Sequence, residues 1–243
     1  MPVFQAFRNK YINTPNQTYP RRSIRSFVRR DSRLTEAQRH ALETLWPQLG
    51  LDLKAGMVDF QSVFHRDAPR ILEIGFGSGQ SLLATAKMHL DHDFIGIETH
   101  QPGIGALLLN IQAEQLTNIR VFYGDAVLVL NQCIPDGSLN GIQLFFPDPW
   151  PKRRHHKRRL IQTGFVRLLI GKLKQGGELH LATDWEDYAK EMMGVLSELP
   201  ELTNRAGVGK FAERSSQRPI VTKFEGHGQR AGRVIWELQF SVG

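Results

Sequence analysis

Residues 71–79 run Ile71-Leu-Glu-Ile-Gly-Phe-Gly-Ser-Gly79. A short apolar strand passes straight into three alternating glycines, and an amphipathic segment over 79–90 follows. Gly75, Gly77 and Gly79 permit a tight turn and let a ligand approach the backbone closely. A helix beginning there offers free N–H groups and positive potential to an anion. The stretch departs from the dinucleotide fingerprint G-x-G-x-x-G, because Gln80 stands where that pattern wants glycine. It also carries Glu73 two residues before Gly75, and a carboxylate placed there disfavours a pyrophosphate. The residues predict a small-ligand pocket on a strand–turn–helix unit and argue against NAD.

The same alternation extends outward. Phe94–Glu98, Arg120–Gly124, Ile142–Phe146 and Glu178–Ala182 are short apolar runs, and Arg233–Phe240 (RVIWELQF) alternates. Segments 79–90, 103–116, 158–174 and 185–198 have helical periodicity. Repeated β-then-α units predict an α/β fold, a mostly parallel sheet with helices on both faces. Ligands of such sheets bind outside the carboxyl ends of the strands, near the topological switch point. Upstream, Thr35 and Gln38 have capping-box spacing, and Ala37, Ala41, Leu42 and Leu45 share a face. Pro47 and Gly50 are expected to end that helix. Residues 1–33 hold Pro2, Pro15, Pro20, many arginines and no apolar period. They are expected to be a basic, weakly ordered segment ahead of one domain over 34–243.

The net charge is +7, yet residues 1–33 alone carry +7 and Lys152–Arg159 (KRRHHKRR) carry +6, which leaves −6 on the rest. Two basic stretches on a mildly acidic body predict a polyanionic partner. Cys133 is the one cysteine, so an internal disulfide is excluded and a reducing compartment is expected. No apolar run approaches the roughly 18 residues of a membrane span, and Met1–Lys10 lacks the apolar core of a signal peptide. A cytoplasmic protein is the expectation, without membrane partner or metal, as a monomer with a homodimer left open.

Acids end the successive strands. Glu98 closes the second one 19 residues after Gly79, near the spacing of about 20 at which a carboxylate meets ribose hydroxyls in such folds. Asp125 closes the third. The fourth leads into Leu144-Phe-Phe-Pro-Asp-Pro-Trp-Pro-Lys152 and then the basic run. Pro147, Pro149 and Pro151 stiffen this turn by fixing φ, so Asp148 is expected to be held at the ligand-facing edge. Phe145, Phe146 and Trp150 offer flat surfaces for a base, although at least one of the phenylalanines is expected in the core.

The glycine loop with Glu73 resembles the first motif of class I methyltransferases. FFPDPWPKRRHHKRR resembles the signature of the bacterial TrmB-type tRNA (guanine-N7)-methyltransferases. The likeness runs from 25–30 (RSFVRR) through Gly96-Ile-Glu98, Gly124-Asp125 and Ala182-Thr-Asp-Trp185 to Thr222-Lys-Phe-Glu225. It implies a Rossmann-like, seven-stranded sheet with an antiparallel last strand. It implies S-adenosylmethionine as cofactor, with Glu73 near its ammonium, Asp125 beside its adenine, and Gly75, Gly77, Gly79, Glu98 and Asp148 in the same pocket. It makes Asp148 the catalytic residue, with Lys152, Asp184, Thr222, Lys223, Phe224 and Glu225 as substrate contacts. Arg154, His155, His156, Lys157, Arg158 and Arg159 become the RNA-interacting loop. The implied reaction is methylation of N7 of guanine 46 in the tRNA variable loop. N7 has a lone pair and no proton, so Asp148 is assigned orientation and electrostatics, not proton abstraction. Amino methyltransferases carry Asn/Asp-Pro-Pro-aromatic at this place, and Asp148-Pro149-Trp150 lacks the second proline. A non-enzymatic RNA-binding protein would have no need of the full series of acids.

Overall fold

Thr35 opens the first helix with the expected capping box. Its Oγ1 accepts from Gln38 N at 3.2 Å, and Gln38 Oε1 accepts from Thr35 N at 3.0 Å. The computed structural model describes residues 33–215, 218–221 and 223–243. The expected weakly ordered segment therefore lies outside the described residues up to position 32, as does Thr222. The first helix, α1 (Glu36–Thr44), stops earlier than expected. Pro47 does not end it but sits in the first turn of a second short helix, α2 (Trp46–Leu49), where its missing N–H costs nothing.

From there the chain runs β1 (Gly50–Leu51), α3 (Phe60–Phe64), β2 (Arg70–Ile74), α4 (Gln80–Met88), β3 (Asp93–Glu98) and α5 (Gln101–Ala113). It continues through β4 (Ile119–Tyr123), α6 (Ala126–Gln132), β5 (Leu139–Phe145), a 3-10 helix (Arg153–Arg158), α7 (Thr163–Lys172) and β6 (Leu173–Thr183). The last elements are α8 (Glu186–Ser197), β7 (Leu202–Asn204), α9 (Lys223–Arg230) and β8 (Trp236–Val242). The strands form one sheet in the order β1-β4-β3-β2-β5-β6-β8-β7. Pairing is parallel from β1 to β6, while β8 is antiparallel to both β6 and β7. Eight strands replace the seven expected: the two-residue β1, too short to show any period, adds an edge beside β4. The helix expected over 158–174 is split, because the basic run folds as its own 3-10 turns before α7 begins.

The alternation of strand side chains builds two cores. Leu72, Ile74, Ile95, Ile97, Ile142, Leu144, Leu179 and Leu181 face one side, with Leu130 of α6, Leu169 of α7 and Met192 of α8. Phe94, Ile119 and Val121 face the other, with Leu82 of α4, Leu107 and Ile111 of α5 and Leu42 of α1. On this second side the in-register row Glu73–Gln143–His180–Gln239 crosses β2, β5, β6 and β8, so half of the face is polar. The order reverses between β2 and β5. That is the switch point, and the carboxyl end of β2 delivers the glycine loop there.

Candidate active site

Gly75, Gly77 and Gly79 all take positive φ, between 60° and 75°, which a side chain resists. The loop is also held by its neighbours. Gly75 N donates to Ile97 O at 2.8 Å, and Gly77 N donates to Glu98 Oε2 at 2.8 Å. The other oxygen of Glu98 accepts from Thr99 N and His100 N. Glu98 is thus a hub that fixes the loop from the next strand, in addition to any role toward a ligand. On the opposite side, α5 comes so close that a Cβ on Gly103 would lie 2.0 Å from Gly77 O. Asp125 caps α6 by accepting from Val127 N at 2.8 Å, and is half-buried at the end of β4.

Glu73 differs from these acids. It is 3% exposed, and its Oε2 has no hydrogen-bond partner among the described residues. Burial pushes its carboxyl up to about 8; Arg218 opposes that rise and Glu98 adds to it. Desolvation therefore outweighs the nearest cation, and the group is poised to receive a positive charge at the mouth of the glycine loop.

The turn after β5 is strained. Phe146 has φ +52° and Trp150 φ +45°, left-handed values that cost a residue with a Cβ about 1–3 kcal/mol each. Phe146 N is anchored on Ala182 O at 2.7 Å. Asp148 lies between these two residues and is exposed. The aromatic rings are more engaged than expected. Phe145 meets the His180 ring edge-on at 5.0 Å, and Trp150 carries the Arg158 guanidinium at 4.8 Å and the His155 ring edge-on at 5.9 Å. The surface available for a base is correspondingly smaller.

Lys152, just before the 3-10 helix, and Arg154 and Lys157 within it are exposed. The imidazole of His155 is kept below its usual range by desolvation and by Arg154, Arg158, Lys152 and Lys157, so it adds no charge at neutral pH. His156 lies 3.8 Å from Asp187. Arg159 corrects an expectation. It is 2% exposed, donates to Pro149 O at 2.9 Å and to Asp187 at 2.7 Å, pairs with Glu191, and lies over the Tyr188 ring. Its guanidinium ties the proline turn to α8 and is not presented to a phosphate.

The remaining expected contacts gather at the ends of β6 and β8. Asp184 pairs with Arg233 at 2.6 Å and borders an open cavity of about 460 Å³ shared with Trp185, Glu186, Asp187 and Lys190. Lys223 and Phe224 begin the backbone of α9. Glu225 is fully buried and paired with Arg214 and Arg218, so its carboxylate holds the fold together and is not exposed to a substrate. Arg218, His180 and Glu237 were missed from sequence. A buried arginine has no local signature when its partners stand 7 and 19 residues away. Also missed was a group at the opposite end of the strands: His89, Asp91 and His92 bring possible ligand atoms within 4.8 Å of one another.

Residues 67–238 match the family model described as "Putative methyltransferase". The chain is 53% identical over 221 residues to the tRNA (guanine-N(7)-)-methyltransferase of Idiomarina loihiensis, covering 91% of this chain and 90% of that protein. It is also 53% identical over 219 residues to the protein of that name from Alcanivorax borkumensis, covering 90% and 91%. Among solved structures, the 16S rRNA methyltransferase KamB is similar with a TM-score of 0.57 at 12% identity, over 77% of this chain and 94% of that one. TrmN from Thermus thermophilus gives 0.51 at 17%, over 79% and 48%. These structural likenesses identify the fold as that of class I methyltransferases.

The state of Glu73 has a measurable consequence for stability. A carboxyl raised from 4.5 to about 8 on folding holds more protons folded than unfolded between those values. Stability contributed by this group therefore falls as pH rises from 4.5 to 8. The whole shift corresponds to about 4–5 kcal/mol, of which an equally buried amide returns only part. In ligand-free protein, Glu73→Gln should raise Tm at pH 8 by about 3–8 °C and leave it nearly unchanged at pH 5. Parallel Tm profiles for variant and parent across this range would show that Glu73 ionises normally.

Proposed function

The chain belongs to the tRNA (guanine-N7-)-methyltransferase family, and we propose that it methylates N7 of guanine 46 in the variable loop of tRNA, giving 7-methylguanosine. The carrying observation is one juxtaposition. The buried Oε2 of Glu73, without a partner among the described residues, stands beside the glycine loop at the switch point, and the neighbouring strand β5 leads into the Asp148 turn and the basic 3-10 helix.

S-adenosylmethionine supplies a methyl group on a sulfonium, which an unprotonated nitrogen attacks directly. The residues fit this donor. Glu73 offers an anionic oxygen to its ammonium, and the glycine loop lets its amino-acid end lie against the backbone. Glu98 and Asp125, at the ends of β3 and β4, are the acids for ribose and adenine. Both also shape the pocket, Glu98 by holding Gly77 and Asp125 by starting α6.

Asp148 works on the acceptor. N7 has no proton to lose, whereas the guanine N1–H and amino group are donors that a carboxylate can receive. The positive charge arriving on the purine is stabilised by the same carboxylate. The strained, proline-bounded turn fixes where that carboxylate points, and such positioning contributes several kcal/mol to a transfer between two held groups. Lys152, Arg154, Lys157 and Arg158 supply the RNA backbone contacts, and Asp184, just after β6, contributes to the acceptor side. All these residues come from one chain, and the reading takes the enzyme as a monomer acting in the cytoplasm. Among the described residues no helix is long and apolar enough to cross a membrane.

The direct test is incubation with S-adenosylmethionine and an unmodified tRNA transcript, followed by nucleoside mass spectrometry and mapping. 7-Methylguanosine at position 46 is expected. A methylated exocyclic amine, or methyl at another position, would overturn the proposal. Asp148→Asn should lower the single-turnover rate about 100-fold or more, in line with lost oriented electrostatics, with little change in tRNA affinity. A wild-type rate that climbs tenfold per pH unit through an acidic pKa absent from Asp148→Asn would make it a general base instead. Replacing Arg154, Lys157 and Arg158 together by alanine should flatten the log–log salt dependence of tRNA binding by roughly 2–3 units. Parallel salt titrations would move the phosphate contacts elsewhere.

A further inference from the structure

The guanidinium of Arg218 sits where three parts of the site meet, and the chemistry proposed above makes no use of it. Its side chain is 1% exposed. One terminal nitrogen donates to Glu237 of β8 and the other to Glu225 of α9. The group lies over the rings of Phe145, the last residue of β5, and Phe146, the first of the turn, with its central carbon 4.9 Å and 5.3 Å from their centroids.

Each partner is itself fixed. Glu237 also binds His180 Nε2 at 2.7 Å and accepts from Ser215 N at 3.2 Å. Glu225 also accepts from Arg214 Nε at 2.8 Å, and the other nitrogens of Arg214 donate to Arg218 O and Ile220 O. Two carboxylates therefore hold the guanidinium at a set angle, and the guanidinium holds two rings. Phe146 is the left-handed residue that aims Pro147-Asp148, a conformation that persists only where its surroundings impose it.

A buried ion cluster is weak evidence of stabilisation, because desolvation offsets most of its attraction. What it supplies here is geometry. A planar fork that bonds along its edge and stacks on its face fixes direction in a way that a lysine or an apolar side chain cannot.

We propose that Arg218 is a positioning residue for methyl transfer. It sets the Phe146–Asp148 turn from within and, by binding Glu225, joins that turn to α9. This rests on the reading of the site as a tRNA methyltransferase. The aim of Asp148 and the seating of α9 are then one arrangement, and disturbing either disturbs the other.

The test uses Arg218→Lys, Glu225→Gln and the double variant, each confirmed folded by thermal melting. At saturating tRNA, each single variant should lose about 30-fold or more in single-turnover rate, as misplacement of a catalytic group does. Calorimetric affinity for S-adenosylmethionine should stay within about threefold. Because the two residues act as a unit, the double variant should be no more than about threefold slower than the slower single one. A rate near wild type, multiplicative losses, or loss of S-adenosylmethionine binding in step with rate would each overturn the proposal. The last would leave Arg218 as scaffold only. If Arg218→Lys does not fold, Glu225→Gln decides alone, and a wild-type rate in that variant overturns it. Wild-type protein that binds S-adenosylmethionine but does not methylate the transcript would instead remove the functional reading, and the positioning role with it. A slowed variant beside an active wild type separates the two cases.

Discussion

A carboxyl buried with an unmet oxygen is expensive, and among the described residues no donor reaches Glu73 Oε2. Arg218, which opposes the rise in its pKa, is committed to Glu225 and Glu237. Glu98 adds to the rise and is already occupied with the loop. Gly96 and Gln143, the residues in register on either side, bring no charge. A cation bound at the carboxyl end of β2 would relieve this cost. The glycine loop, the close approach of α5 and the acids at the ends of β3 and β4 surround that place.

The loops around this pocket have little regular structure, and the protein immobilises them with charged side chains that are partly or fully buried. Glu98 holds the glycine loop, Arg159 holds the Pro149 carbonyl against α8, and Arg218 holds the Phe145–Phe146 rings. In each case a forked group reaches across from another element to a segment whose backbone is strained or rich in glycine or proline. Rigid placement of loop residues is what transfer between two bound molecules requires. It also explains why two charges in functional motifs, Arg159 and Glu225, face inward. Each ties its own segment to a neighbouring element.

Much of the architecture was legible in the sequence because it rests on local pattern. The strand before Gly75, the helix after Gly79 and the capping box at Thr35 depend on residues within a few positions of one another, and each formed as expected. So did the parallel order, which follows from repeated units, and the antiparallel β8, which the family resemblance implies. The failures have a common cause. Pro47 was taken as a stop because proline breaks helix interiors, whereas the structure uses it as a start. The two residues of β1 have no period, and their pairing depends on β4, about 70 residues away. Arg159 was grouped with its basic neighbours because charge is visible in sequence and burial is not; its partners Asp187 and Glu191 lie 28 and 32 residues on. Glu73 was legible as an acid before the glycines, but its isolation is a property of the packed sheet.

The role of Glu73 is tested most directly by proton linkage. Titration calorimetry of S-adenosylmethionine into the wild-type protein at pH 7, in buffers of differing ionisation enthalpy, counts protons exchanged on binding. A carboxyl held protonated by burial and ionised by an arriving ammonium predicts release of about one proton per bound ligand, absent in any residual binding by Glu73→Gln. A binding enthalpy that does not vary with buffer in the wild type would contradict it, because Glu73 would then be ionised before the cofactor arrives.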